Sequence, residues 1–142
     1  MNQRADPGSF RQAIGRFATG VAVVTARARD GMPIGMTINS FSSVSLEPPL
    51  VLWSLSRCSS RFDDFVAASH FAINVLGADQ EAVSSRFAGP RAHRFEGIDW
   101  LSGEGGVPLL PRRGLPDGSF RLISPACSTG SSCLQILSLS WH

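Results

Sequence analysis

The sequence predicts a mainly β protein with flanking helices, in which an antiparallel barrel carries its helices on the outside. Two observations lead there. Apolar, β-branched runs recur along the chain as GVAVVTAR, PIGMTINSF, LVLWSL and FAINVL, and the first two are joined across Asp30-Gly31, a hairpin turn signal. The elements then follow in the order helix, hairpin, strand, helix, strand, helix, which suits a mostly antiparallel sheet.

Each element has a local cause. Phe10, Ala13, Ile14 and Phe17 recur at helical spacing, with Pro7 and Ser9 as start signals and Gly20 as a stop, so an amphipathic helix opens the chain. The hairpin follows, and LVLWSL (50–55) makes a third strand after the double proline. SSRFDDFVAASH reads as a short helix with Phe62, Phe65 and Val66 on one face, and with Ser59 or Ser60 placed to cap its first amides. FAINVL is a fourth strand, ADQEAVSSRFAG a further helix closed by Gly89, and RFEGIDW leads into the glycine-rich turn GEGG and the apolar VPLL.

Composition narrows the class. The chain has 142 residues, 43% of them hydrophobic, and a mean hydropathy of +0.07, as expected for a single soluble domain. No run approaches the roughly 18 apolar residues of a membrane span, and MNQRADPGSF has no apolar signal-peptide core, which leads to the expectation of a cytoplasmic protein. Cys58, Cys127 and Cys133 form no even disulfide framework and no CxxC or Cys/His cluster, so no metal is expected. All thirteen basic residues are Arg; through Leu110 ten of them face ten acidic residues, and the net +2 comes from the last 32 residues. No basic stripe argues for nucleic acid.

The stretch GMTINSFSSVSLEPPL places Thr37, Ser40, Ser42, Ser43 and Ser45 among strand-forming residues. A strand built only for a core would spend its inward positions on Val, Ile and Phe, so these hydroxyls suggest an oxygen-rich ligand or, as the plain alternative, serine-rich turns and caps. Thr37-Ile38-Asn39-Ser40, Ser54-Leu55-Ser56 and Cys58-Ser59-Ser60-Arg61 bring small polar groups to strand ends and a helix start. Hydroxyls and amides suit a polyol, and a helix start with Ser and Arg suits a phosphate.

FRQAIGRFATGVAVVTA, GMTINSFSSVSLEPPLVLWSL, Ser59, FAINVL, RFAG and RFEGIDW occur in one continuous order over roughly residues 9–110. Together they closely resemble the flavin reductase-like family of FMN-binding split barrels, the reductase components of two-component flavin monooxygenases. The resemblance implies a split β-barrel, antiparallel with Greek-key connections, and a homodimer with FMN (or FAD) in a groove near the dimer interface. NAD(P)H would be the co-substrate and a flavin-dependent monooxygenase the recipient of reduced flavin. It places Thr37, Asn39 and Ser40 beside the isoalloxazine ring and ribityl chain, Ser54 and Ser56 along the ribityl and phosphate, and Ser59, Ser60 and Arg61 at the phosphate end. Arg86 and Phe87 would close over the flavin or the nicotinamide, unless Arg86 is only a solvated helix end and Phe87 a core residue.

Such an enzyme needs positioning more than side-chain acid or base chemistry, because the hydride chemistry belongs to the cofactors, and no catalytic residue is assigned. His70 and His93 have no nearby carboxylate arrangement for nucleophilic catalysis and are read as structural. GEGG lacks the strand-to-helix context of a dinucleotide fingerprint.

After VPLL the pattern departs from the family. A GAxAxLEC-like segment and a Gly-Asp-His motif, which by resemblance should follow, are missing, and the last residues are rich in Ser, Pro, Arg and Cys with no alternating strand pattern. The expected division is therefore 1–110 as the flavin reductase-like domain and 111–142 as an atypical tail, from a frameshifted or truncated reading that leaves the barrel incomplete at the C-terminus. The alternative is a divergent tail that still adds strands through FRLIS and CLQILSL. Two functions follow: a flavin reductase, or a flavin-binding split-barrel remnant with impaired catalysis.

Overall fold

The computed structural model describes residues 20–39, 42–46, 49–90, 92, 94–111, 121–125 and 134–138. The N-terminal helix expected over Phe10 to Phe17, together with Ser40, His93, Cys127 and Cys133, lies outside the described residues.

Strand β1 (Ala22–Arg27) and β2 (Pro33–Ile38) form the expected hairpin, with Ala22 opposite Ile38 and Arg27 opposite Pro33. Its turn is set by two local devices. The Met32 amide donates to Asp30 Oδ1 at 3.0 Å, and Gly31 takes a φ of 80°, which a side chain would resist. The sequence suggests one strand through Phe41, but β2 ends at Ile38 and a separate β3 (Ser42–Leu46) begins in another sheet, paired with β4 (Pro49–Ser54) through a register shift between Ser43 and Ser45. The stretch rich in hydroxyls is thus the corner where the chain changes sheets.

Helix α1 (Phe62–Ala67) follows, then β5 (His70–Val75), a 3₁₀ turn (Ala78–Gln80) and α2 (Glu81–Ala88). Gly89 caps α2 with its amide on Arg86 O, as the sequence suggests. Beyond it, β6 (Leu101–Ser102) and β7 (Pro108–Leu109) flank the glycine turn, in which Gly105 and Gly106 have positive φ. The tail contributes β8 (Arg121–Pro125) and β9 (Leu134–Ser138), antiparallel to β5 and β4 respectively. Of the two readings of the tail, the described strands follow the one in which it still adds strands: Arg121–Pro125 and Leu134–Ser138 both pair. Pairings between strands are antiparallel throughout, in sheets ordered β2-β1-β5-β8, β3-β4-β9 and β6-β7.

The core sits between the sheets. Ala22, Val24, Ala26, Ile34, Ile38, Phe71 and Ile73 from one sheet pack with Trp53, Leu55 and, from α1, Phe65. The period of two then turns Val23, Thr25, Ala72 and Asn74 to the opposite face, and this face is buried as well. It is covered by α2 and by the arm 94–111: Val23 packs with Phe87 and Leu110, and Ala72 with Val107 and Leu109. Side chains tie the arm down along its length. Thr25 Oγ1 donates to Pro108 O at 2.5 Å, the Leu110 amide donates to Asn74 Oδ1 at 2.9 Å, and Gln80 Nε2 donates to Pro111 O at 3.2 Å. Arg27 lies over the Trp100 ring, 4.9 Å from its centroid, and donates from Nε to Gly106 O at 2.6 Å.

Candidate functional site

The polar residues singled out in the sequence fall into two groups. Ile38, between Thr37 and Asn39, and Leu55, between Ser54 and Ser56, are both buried in the main core cluster. Asn39, Ser54 and Ser56 are exposed.

The first group runs from Ser54 to Arg61. Ser56 Oγ accepts from the Cys58 amide at 3.2 Å, the Ser59 amide donates to Ser56 O at 2.9 Å, and Ser59 Oγ accepts from the Arg61 amide at 3.3 Å. These bonds fold the segment into a tight turn before α1. The capping expectation needs correction here: the N-cap position is Arg61, no side-chain cap bond is made, and Ser59 acts just ahead of the helix. Arg61 Nη1 is 2.7 Å from Asp64 Oδ2, one turn on, with both side chains partly exposed. Helix α1 has only six residues, so its dipole is short, and an anion held here would depend on the Ser hydroxyls and on the donors of Arg61 that Asp64 does not use.

The second group lies on the outer face of β2. Val23 and Thr37 are register partners, which puts Thr37 on the face covered by α2, and Thr37 Oγ1 donates to Ser84 O of α2 at 2.6 Å. Arg86, exposed, donates from Nη1 to Glu96 O and lines a shallow cleft with Ser85, Gly89, Pro90 and Glu96. Phe87 is completely buried and stands edge-on to Phe95, 5.0 Å between centroids. Beside Thr37, a cleft of about 350 Å³ is lined by Val21, Leu76 to Ala78, Gln80, Glu81 and Ser84.

The donor set fits a phosphorylated polyol such as a flavin mononucleotide: exposed hydroxyls and an amide near strand ends, and the Arg61 guanidinium at the start of α1. Among the described residues no group of three or more His, Cys, Asp or Glu could hold a metal, and no helix is long and apolar enough to cross a membrane. His70 opens β5 with Nδ1 3.0 Å from Ser69 Oγ, and its ring packs where a Cβ on Gly105 would collide with it.

Sequence reasoning missed Thr25, Asn74, Gln80 and Arg94, which fix the covering layer. A signal existed for two of them: a Thr and an Asn inside the apolar strands VAVVTA and FAINVL must find partners when buried.

Comparison with known proteins agrees with this architecture. The model of the flavin reductase like domain matches residues 14–115, and the chain belongs to that family. The FMN reductase (NADH) SmoA of Agrobacterium fabrum is 55% identical over 103 residues, which are 72% of this chain and 58% of that protein. The reductase component of the flavin-dependent trigonelline monooxygenase of Acinetobacter baylyi is 49% identical over 101 residues, 71% of this chain and 33% of that protein. Among solved structures, the Streptomyces globisporus NADH:FAD oxidoreductase SgcE6, in complex with NAD and FAD fragments, superposes with a TM-score of 0.78 at 33% identity, covering 98% of this chain and 82% of that one. The chain spans between a third and three fifths of the length of the curated relatives it matches most strongly.

Proposed function

We propose that this chain is a flavin reductase that passes a hydride from NAD(P)H to FMN (or FAD) and supplies the reduced flavin to a partner monooxygenase. The observation that carries this reading is the match of residues 14–115 to the flavin reductase like domain, in a chain whose relatives are named for flavin reduction and which exposes Asn39, Ser54 and Ser56 near the ends of β2 and β4. The sheets β2-β1-β5-β8 and β3-β4-β9 are the two sides of a split barrel, and two copies pair as a homodimer in the cytoplasm.

Asn39, Ser40, Ser54 and Ser56 hold the polyol, and Ser59, Ser60 and Arg61 hold the phosphate. When bound, the flavin supplies the hydride acceptor. The protein orients the two cofactors and keeps water from between them, and no side chain is asked to move a proton. The tail 111–142 is an atypical continuation, a reading supported by the family match ending at residue 115.

NADH consumption is the direct test. Added FMN should make the purified chain oxidise NADH, whereas flavin fluorescence that is quenched without turnover would favour the catalytically impaired remnant. Ser59→Ala with Arg61→Ala should weaken FMN more than riboflavin, since only FMN carries the dianion; equal weakening of both would remove the phosphate assignment.

A further inference from the structure

Thr37 stands at the strand end assigned to the flavin, yet its hydroxyl proton is already committed. Oγ1 donates to Ser84 O of α2 at 2.6 Å, across 47 residues of sequence. A hydroxyl has one proton to give. Two residues earlier on the same face, β2 has Gly35, and a Cβ there would stand 2.8 Å from Phe87 Cε1 of α2 and 3.3 Å from Phe95. The absence of a side chain lets the helix lie directly on the strand. Behind the ring, Arg94 donates from Nη1 to Gly35 O at 2.8 Å and from Nε to Gly89 O at 3.0 Å, joining β2 to the cap of α2.

We infer that Thr37, Gly35 and Arg94 key helix α2 to β2, and that Thr37 is a positioning residue for the nicotinamide-side wall rather than a ligand of the flavin. This rests on the reductase reading above and refines the site it describes. Strand β2 continues into Asn39 at the flavin groove, while α2 carries Arg86 on its exposed side. The key fixes the spacing between these two. A shift of α2 by a few tenths of an ångström would move Arg86 and its cleft relative to the flavin and leave the phosphate turn, Ser54 to Arg61, where it is.

The experiment compares Thr37→Val, Thr37→Ser and Gly35→Ala in the full chain by FMN affinity from fluorescence quenching, by steady-state kinetics and by amide exchange in the apo protein. Thr37→Val should raise KM for NADH about fivefold, the loss of one partly buried hydrogen bond, with FMN affinity and kcat changed less than about twofold and faster exchange over residues 84–89. Thr37→Ser should restore the wild-type values, and Gly35→Ala should reproduce the Val phenotype although it removes no polar group. Weakened FMN binding in Thr37→Val with KM unchanged would overturn the inference in favour of direct contact, and unchanged exchange over 84–89 would show that there is no key. If the wild-type chain binds FMN but does not turn over, the reductase reading fails by itself, and exchange together with FMN affinity still decides the role of Thr37.

Discussion

The two faces of β1 and β5 are both buried, but they are held by different forces. Inward, Trp53, Phe65 and Phe71 form an aromatic knot, with Trp53 edge-on to both phenylalanines at 5.7 and 5.9 Å and the phenylalanine rings stacked at 6.1 Å. A polar atom buried there, Trp53 Nε1, has no hydrogen-bond partner among the described residues. Outward, apolar contacts of the arm 94–111 are joined by paired polar latches: Asn74 Nδ2 donates to Val23 O at 3.0 Å and to Thr25 Oγ1 at 3.1 Å, while its Oδ1 accepts from Leu110. Apolar burial is proportional to area and indifferent to register, whereas a hydrogen bond tolerates little displacement. The aromatic knot therefore makes the inner face the larger apolar contribution, and the polar latches of the outer face fix where the covering layer sits.

The largest effect should come from the inner face. Phe71 is fully buried and contacts both other rings, so Phe71→Ala should cost about 3–5 kcal/mol, a large part of the stability of a domain this size. Urea unfolding followed by circular dichroism measures it. A loss below about 1 kcal/mol would mean that the aromatic knot is not the source of stability and would erase the contrast between the faces.

How much of this was legible in the sequence depends on the range of the cause. The hairpin was readable because Asp30, Gly31 and the β-branched runs act on their own neighbours, and α2 because Gly89 stops it locally. The break between β2 and β3 was not, since nothing in the TINSFSS alternation distinguishes a strand that continues from one that crosses to another sheet. Ser59 and Ser60 look like caps by composition, but the turn through Ser56 places Arg61 at the cap position. Phe87 reads equally well as a lid or as core until Gly35, 52 residues away, makes room for its ring. The tail strands were legible only as the alternative reading, and β8 and β9 now pair with β5 and β4.

An intermediate effect should follow on the outer face. Asn74→Ala would remove the Oδ1 that accepts from the Leu110 amide and the Nδ2 that donates to Val23 O and to Thr25, at a cost of about 1–3 kcal/mol. The loss should be local in character. Amide exchange should accelerate first at Leu110 and its neighbours in the arm, while the amides of β1 stay protected, because the aromatic knot on the other face is untouched. Exchange that accelerated equally on both sides of the sheet would show that the faces unfold as one unit and that the arm is no separate layer.

The smallest effect, and the sharpest test of the contrast, is Trp53→Phe. The substitution removes part of a fully buried ring and leaves a small cavity among Phe65, Phe71 and Leu55, which by itself is destabilising. It also removes Nε1, whose N–H gave up its water on burial and has no acceptor among the described residues, and deleting an orphaned donor returns free energy of similar size. The two contributions oppose each other, so the net change in unfolding free energy should stay within about 1 kcal/mol, far less than for Phe71→Ala only one ring away. A loss of about 3 kcal/mol or more would mean that the indole N–H has a partner and that the inner face, like the outer one, is held in part by a hydrogen bond of fixed geometry.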